Sequence, residues 1–282
     1  MVVKVDGIKM YLDSQDNGIC RDLILNPNRE ELGQVILKKL KPTDKVVDIG
    51  ANIGFYALKE RRIVGNLGKV YAIEPAEKTC YWLKKNLSEN GYRNVEVDCL
   101  ALGDKTKEVE IYISTKSNLN NLVNAYKGPT TRVQKVKMDT LDNFSASKKF
   151  KPTFIRMDVE GYEYNIIKGA RNIMAKSKDL RLMIEIHPFI MGRKKTADFL
   201  KIMKNSRFES TIVVFENGFY PYVKVNSRLR KFLTYLWGQF TEKDTHILNK
   251  VHFDMSIDDM LKNKDILNGR YGCPHVLFEK KE

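Results

Sequence analysis

The sequence predicts an α/β domain built on a doubly wound, mainly parallel sheet, and three observations carry that prediction. Short apolar runs alternate with segments of helical period from about residue 41 to residue 216. Strand, helix, strand in that order implies parallel pairing with helices on both faces, and the right-handed crossover rule makes such a sheet doubly wound. No internal repeat, low-complexity run or Pro/Ser/Gly linker divides the 282 residues, a length that one enlarged domain can hold.

Taken in order, Val2–Tyr11 alternates like a strand pair turned at Asp6-Gly7. A helix fits 29–40, with Leu32, Val35, Ile36 and Leu40 on one face and Asn28 as its N-cap. The strand Val46–Ile49 precedes a glycine turn and a helix through Phe55, Tyr56 and Leu58. The strand Val70–Ile73 precedes a helix through Trp82, Leu83 and Leu87. Val95–Leu100 and Val109–Ile113 read as further strands. Phe154–Met157 leads into one helix carrying Ile166, Ile167, Ala170, Ile173 and Met174. Leu182–Ile186 leads into a helix through Phe199, Leu200 and Met203, and Thr211–Phe215 and His275–Phe278 close the pattern. The resulting organisation is an N-terminal hairpin and helix (1–40), a ligand-binding core (41–216), an insertion (217–270) and a last strand (271–282). Insertions beyond about 15 residues are usually functional or disordered, and the aromatic content of 228–237 argues against disorder.

Composition narrows the class. With 43% apolar and 30% charged residues the chain is globular, and nothing approaches 18 consecutive apolar residues. The N-terminus has no basic stretch leading into an apolar core, so no signal peptide is expected. Cys20, Cys80, Cys99 and Cys273 form no CxxC pair, which predicts reduced thiols, a cytoplasmic location and no structural zinc. The outlier is a net charge of +14, which would draw polyanions. It is spread along the chain; 127–151 is densest, with seven Lys or Arg against two Asp.

Ligands of doubly wound sheets bind beyond the strand carboxyl ends. The first core strand ends in Asp48-Ile49-Gly50-Ala51-Asn52-Ile53-Gly54. A dinucleotide loop needs a second glycine so that backbone can close on the pyrophosphate; here that slot is Asn52, and an acid precedes the turn. A ligand with a cationic amino-acid portion and no phosphate suits it better. The second strand ends in Glu74-Pro75, where a carboxylate can accept both hydroxyls of a ribose. Together Asp48 and Glu74 outline S-adenosyl-L-methionine. The fourth core strand runs into Asp158-Val159-Glu160-Gly161-Tyr162-Glu163, and the next into Glu185-Ile186-His187, where Glu185 and His187 share a face. Methyl transfer to an alcohol needs alignment and a group to take the hydroxyl proton. Asp158, Glu160, Glu185 and His187 are the candidates, and spacing does not rank them. Asn118, Asn120 and Asn121 are candidate hydrogen-bonding groups for a polyhydroxylated acceptor. His246 and His252 lack the companions of a ligand set, so no metal is expected.

These motifs, with Ala101-Leu102-Gly103-Asp104, stand in the order found in FkbM-type methyltransferases, which the chain resembles over roughly residues 40–190. The resemblance implies a seven-stranded, Rossmann-like class I methyltransferase sheet whose last strand, His275–Phe278, runs antiparallel. It implies that Gly50, Ala51, Asn52 and Gly54 hold the methionine part of the cofactor beside Asp48 and Asp158, that Glu74 and Pro75 meet the ribose, and that Asp98, Cys99, Leu100 and Ala101 lie against the adenine. It further implies O-methylation of a hydroxyl on a saccharide, glycan or glycolipid. The charge and the basic, aromatic stretch Arg228–Trp237 support a second reading, an RNA methyltransferase; the same stretch also suits peripheral contact with a membrane. The acceptor and the oligomeric state are not written in the motifs.

Overall fold

The computed structural model describes residues 1–27, 33–125, 130–215, 251–253 and 255–281. The chain opens with a hairpin of β1 (Val2–Val5) and β2 (Ile8–Tyr11), followed by helices α1 (Ile19–Leu25) and α2 (Gln34–Leu37). The main sheet then begins with β3 (Lys45–Ile49), α3 (Phe55–Val64), β4 (Lys69–Ile73), α4 (Glu77–Glu89) and β5 (Val95–Asp98). After an excursion described below it resumes with β9 (Phe154–Met157), α6 (Glu163–Lys168), α7 (Arg171–Lys176), β10 (Arg181–Glu185), α8 (Pro188–Asn205) and β11 (Phe208–Val214). It closes with β12 (Val251–His252), α9 (Ile257–Lys262), α10 (Lys264–Leu267) and β13 (His275–Lys280).

The strand order is β12-β11-β13-β10-β9-β3-β4-β5. From β10 to β5 all pairs are parallel, while β13 is antiparallel to both β10 and β11. This is the expected doubly wound sheet with its reversed last strand, extended at one edge by the two-residue β12. The chain grows from β3 outward to β5, then returns to β9 on the other side. The β3/β9 boundary is therefore the switch point, where open α/β sheets bind ligands.

Both faces of the sheet are covered, which explains why its strands read as continuous apolar runs. Val47, Ile49, Ile155 and Met157 join one core with α6, α7, α8, α9 and α10. Val46, Ala72 and Phe154 face the other core, under the N-terminal hairpin, α1, α3 and α4. Each such aliphatic side chain contributes roughly 1.5–3 kcal/mol on burial.

Two segments lie outside the main sheet, and two expectations, the single helix after β9 and the four reduced thiols, are corrected. Val109–Ile113 lies in a separate three-stranded sheet: β6 (Ala101–Gly103) pairs parallel with β8 (Thr130–Thr140), and β7 (Lys107–Ser114) pairs antiparallel with β8. The basic segment 127–151 thus contains a strand, followed by α5 (Leu141–Ser147). Its lysines hid an alternation in which Lys135 and Lys137 are exposed while Val136 and Met138 are buried. The single helix expected after β9 is broken into α6 and α7 at Gly169-Ala170, where the chain packs so closely on the Gly103 carbonyl oxygen of the second sheet that only glycine fits. Cys80 and Cys99 are joined in a disulfide, with Cα atoms 6.0 Å apart, against the expectation of four reduced thiols. The start of α4 and the exit of β5 meet in space though 19 residues apart; Cys20 and Cys273 are free thiols.

Of the helix expected at 29–40, α2 and the buried Ile36, Leu37 and Leu40 fall among the described residues. Residues 28–32, with the N-cap Asn28, lie outside them, as do 216–250 with Arg228–Trp237 and His246. No helix among the described residues is long and apolar enough to cross a membrane.

Candidate active site

A cleft of about 420 Å3 opens at the carboxyl ends of β3, β4 and β9, within the size range of small-ligand sites. Its floor is the turn after β3. The Gly50 and Ala51 amides donate to the Ile73 carbonyl at 3.0 Å each, which curls the turn against β4. Gly50 has φ +79°, and any side chain there would overlap the Asp158 carbonyl oxygen. Asn52, which stands where a dinucleotide loop has glycine, adopts the left-handed conformation at φ +49°, a region asparagine tolerates. Its Oδ1 accepts the Ile53 amide at 2.7 Å and lies 3.3 Å from the Ser117 hydroxyl.

Glu74, at the end of β4, accepts the Asn52 amide on Oε2 at 3.0 Å and the Ala76 amide on Oε1 at 2.9 Å. Each oxygen keeps a further lone pair for a ribose hydroxyl. Burial pushes its pKa up to about 7, against the pull of the two amides. Pro75, Leu100 and Ala101 continue the wall of the cleft. Asp98 and Cys99 do not line it: Asp98 Oδ1 pairs with Lys148 at 2.9 Å and Cys99 with Cys80.

Asp48 does not line it either. It is fully buried, directly across the β3/β9 register from Arg156. Arg156 donates from Nη1 to Asp48 Oδ1 at 2.9 Å and from Nη2 to Asp158 Oδ2 at 2.9 Å, with its guanidinium stacked 3.9 Å from the Tyr56 ring centre. Burial raises the Asp48 pKa, with Arg156 opposing. Asp48 therefore shapes the turn from behind through Arg156, and the cleft wall is formed by Asp158 instead. Nothing in the run Phe154–Met157 marked Arg156 as more than a strand residue.

The far end is acidic. Asp158, Glu160 and Glu185 line it together with His275. Behind them the buried His187 directs Nδ1 at Glu163 Oε1, 2.6 Å away, while Nε2 lies 3.4 Å from Glu160, 3.8 Å from Glu185 and 3.9 Å from Asp158. Burial opposes a charge on His187, but Glu163, Cys273 and Glu160 outweigh it and hold its pKa well above the ordinary value. The four candidates for hydroxyl activation thus converge around the His187 ring. His275 is pushed down to about 4, chiefly by burial.

The remaining wall comes from the asparagine loop and from an N-terminal segment that no motif marked. Asp16 accepts the Ser117 amide at 2.7 Å and its hydroxyl at 2.9 Å. These bonds tie the N-terminal segment, whose Ile19 and Asp22 reach the cleft, to the loop bearing Asn118, Asn120 and Asn121. The Asn121 amide is spent within that loop, on Leu119, Val123 and Ala125. Asn120 accepts the Ser114 amide at 2.9 Å. Loop-internal bonds of this kind leave no signature in sequence spacing.

A strand-end glycine turn, a buried carboxylate at the end of the next strand and the reversed β13 define a class I methyltransferase. The sequence profile of the methyltransferase FkbM domain matches residues 48–219, and the chain belongs to that family; its cofactor is S-adenosyl-L-methionine. Over 176 residues it is 27% identical to "Probable cobalt-precorrin-6B C(15)-methyltransferase (decarboxylating)" of Saccharolobus solfataricus, covering 55% of this chain and 84% of that one. A 53-residue stretch is 43% identical to protein-L-isoaspartate O-methyltransferase of Methanosarcina mazei, 19% of this chain and 22% of that relative. The crystal structure of an S-adenosylmethionine-dependent methyltransferase from Geobacter sulfurreducens, in complex with S-adenosyl-L-homocysteine, superimposes with a TM-score of 0.44 at 10% identity, covering 91% of this chain and 93% of that one.

Proposed function

We propose that this methyltransferase acts on a hydroxyl of a saccharide, glycan or glycolipid. The observation that carries the reading is the ring of Asp158, Glu160 and Glu185 at the end of the cleft away from Glu74. With the methionine part over Gly50–Gly54 and the ribose at Glu74, the donor methyl faces this ring. The acceptor oxygen bonds to the methyl carbon, the carbon–sulfur electron pair passes to sulfur, and the hydroxyl proton goes to a carboxylate. Asp158 shares its charge with Arg156, so Glu160 and Glu185 are the stronger acceptors. Sugar hydroxyls donate to carboxylates, whereas an RNA acceptor would bring phosphates toward several acids and meet repulsion.

The described residues of the 217–270 segment, 251–253 and 255–270, are read as part of the acceptor side. Of the described part, α9 and α10 pack against α8, and Gly269 touches the backbone of Phe189, two residues beyond His187 and largely exposed. An aromatic face there suits the apolar side of a sugar ring.

The test offers saccharide, glycolipid and RNA fractions in parallel with labelled cofactor. Label in a base-stable ether on the saccharide or glycolipid is expected. Label only in RNA would overturn the reading.

A further inference from the structure

The geometry points to a divalent-cation site formed by Asp158, Glu160, Glu185 and His187. The inference rests on reading this end of the cleft as the acceptor side. These groups come from the loop after β9, the last residue of β10 and the residue pair beyond it, so the ligands are separated by up to 29 positions. Among the described residues, Asp158, Glu160 and His187 offer one donor atom each, all within 4.8 Å of one another. Glu185 Oε1 joins them 3.8 Å from His187 Nε2.

The donors are divided in a way that suits an ion. Asp158 gives Oδ2 to Arg156 and turns Oδ1 toward His187. Glu160 turns Oε2 there at 3.4 Å. Separations of 3.4–3.9 Å are long for hydrogen bonds, yet close to those of neighbouring donors that share one cation at roughly 2.0–2.6 Å. The His187 ring is fixed from behind by the fully buried Glu163, through Nδ1 at 2.6 Å. A carboxylate on the second ring nitrogen is the arrangement that orients metal-bound histidines.

A second observation is independent of those bonds. The His275 side chain is nine-tenths buried in the same wall, and its Nδ1 makes no hydrogen bond. It faces Glu185 Oε2 from 3.7 Å, so a buried polar atom beside the cluster is left for a ligand or its water. The field agrees: five carboxyl groups, Asp48 and Glu163 included, surround Arg156 and His187. Asp158, Glu160 and Glu185 keep 27%, 13% and 16% side-chain exposure toward the cleft, so an ion can enter.

Mixed carboxylate and imidazole donors suit Mn2+ among the common divalent ions. Bound there, it would hold the acceptor oxygen against the donor methyl and offset the negative charge that develops on that oxygen, beside the acidic ring, as its proton leaves.

The experiment titrates chelator-treated protein with Mn2+ alone, following the free-ion signal by electron paramagnetic resonance, with S-adenosylhomocysteine binding by calorimetry as the check of fold. One Mn2+ per chain is expected. Glu160→Gln and Glu185→Gln should each weaken uptake at least tenfold, and Glu163→Gln by about 10–100-fold, while S-adenosylhomocysteine still binds. Protein that binds S-adenosylhomocysteine but takes up no Mn2+ would overturn the site, as would uptake unchanged by all three substitutions. Mn2+ uptake without methyl transfer to any saccharide or glycolipid fraction would sink the acceptor reading and leave the cation site standing.

Discussion

The backbone amide of Asn52 donates directly to Glu74 Oε2 at 3.0 Å, so the glycine turn after β3 and the carboxylate at the end of β4 are one hydrogen-bonded unit. Because the carboxylate is held in place before ligand arrives, little ordering cost remains at binding.

Cofactor affinity is expected to depend on pH through Glu74. Its pKa lies at about 7, raised by burial, and only the ionised form accepts from both ribose hydroxyls. Affinity for S-adenosylhomocysteine should therefore fall as pH drops below 7, by up to about tenfold per unit. Glu74→Gln should cost roughly 1.5–3 kcal/mol of binding at pH 8 and flatten the profile. The linkage has the opposite sign for the cofactor-free fold. Between 4.5 and 7 the folded chain holds a proton that the unfolded chain releases, so Glu74 makes the fold less stable as pH rises through that window. Calorimetry and thermal melts from pH 5.5 to 8.5 check both; a flat binding profile would remove Glu74 from the ribose site.

Gly50→Ala should abolish cofactor binding. The substitution combines φ +79° with overlap on the Asp158 carbonyl oxygen, so the turn must move away from β9. Gly91→Ala is the comparison: its φ is +68° but an added Cβ meets nothing, so only backbone strain of about 1 kcal/mol is expected. Equal binding by the two variants would show that the turn is not packed against β9.

Much of this was legible in the sequence, for identifiable reasons. Strands buried on both faces, such as Val46–Ile49, read as apolar runs, and their ends carry Gly50, Glu74, Asp158 and Glu185 at the sheet's rim. The sequence could not show which way a side chain turns at a strand end. Asp48 and Asp98 look like site acids, yet one faces Arg156 beneath the turn and the other Lys148. The Cys80–Cys99 bridge and the pairing of Asp16 with Ser117 join segments distant in sequence, which no local pattern encodes.

Arg156→Met is expected to destabilise the fold by about 3–5 kcal/mol, because it strands Asp48 as an uncompensated buried acid. The Asp48 side chain has no exposure and that of Arg156 only 5%. The double variant Asp48→Asn/Arg156→Met should cost clearly less than the two single changes combined. Urea denaturation followed by circular dichroism measures all three; strict additivity would mean that the pair does not interact.

The last expectation concerns the Cys80–Cys99 bridge, which ties α4 to the connection leading into Leu100 and Ala101. Closing a loop of this size constrains the unfolded chain by about 3 kcal/mol, which for a domain this large is roughly 6–12 °C in melting temperature. Cys80 is buried and Cys99 exposed, so a small thiol or phosphine can reach the bridge at Cys99 in the folded protein. Two outcomes for the cofactor compete. Loosening the connection could move Leu100 and Ala101 away from the cleft. Against that, Ala101 is already held by β6, paired with Met138 of β8, and Glu74 and Asn52 are fixed independently of either cysteine. The strand pairing should win. Reduction, or the double substitution Cys80→Ala/Cys99→Ala, should lower the melting temperature while changing S-adenosylhomocysteine affinity by no more than about threefold, under ~0.7 kcal/mol. Melts and calorimetry with and without reductant decide between them. A large loss of affinity would make the bridge part of the adenine wall, and an unchanged melting temperature would show that it adds nothing to the fold.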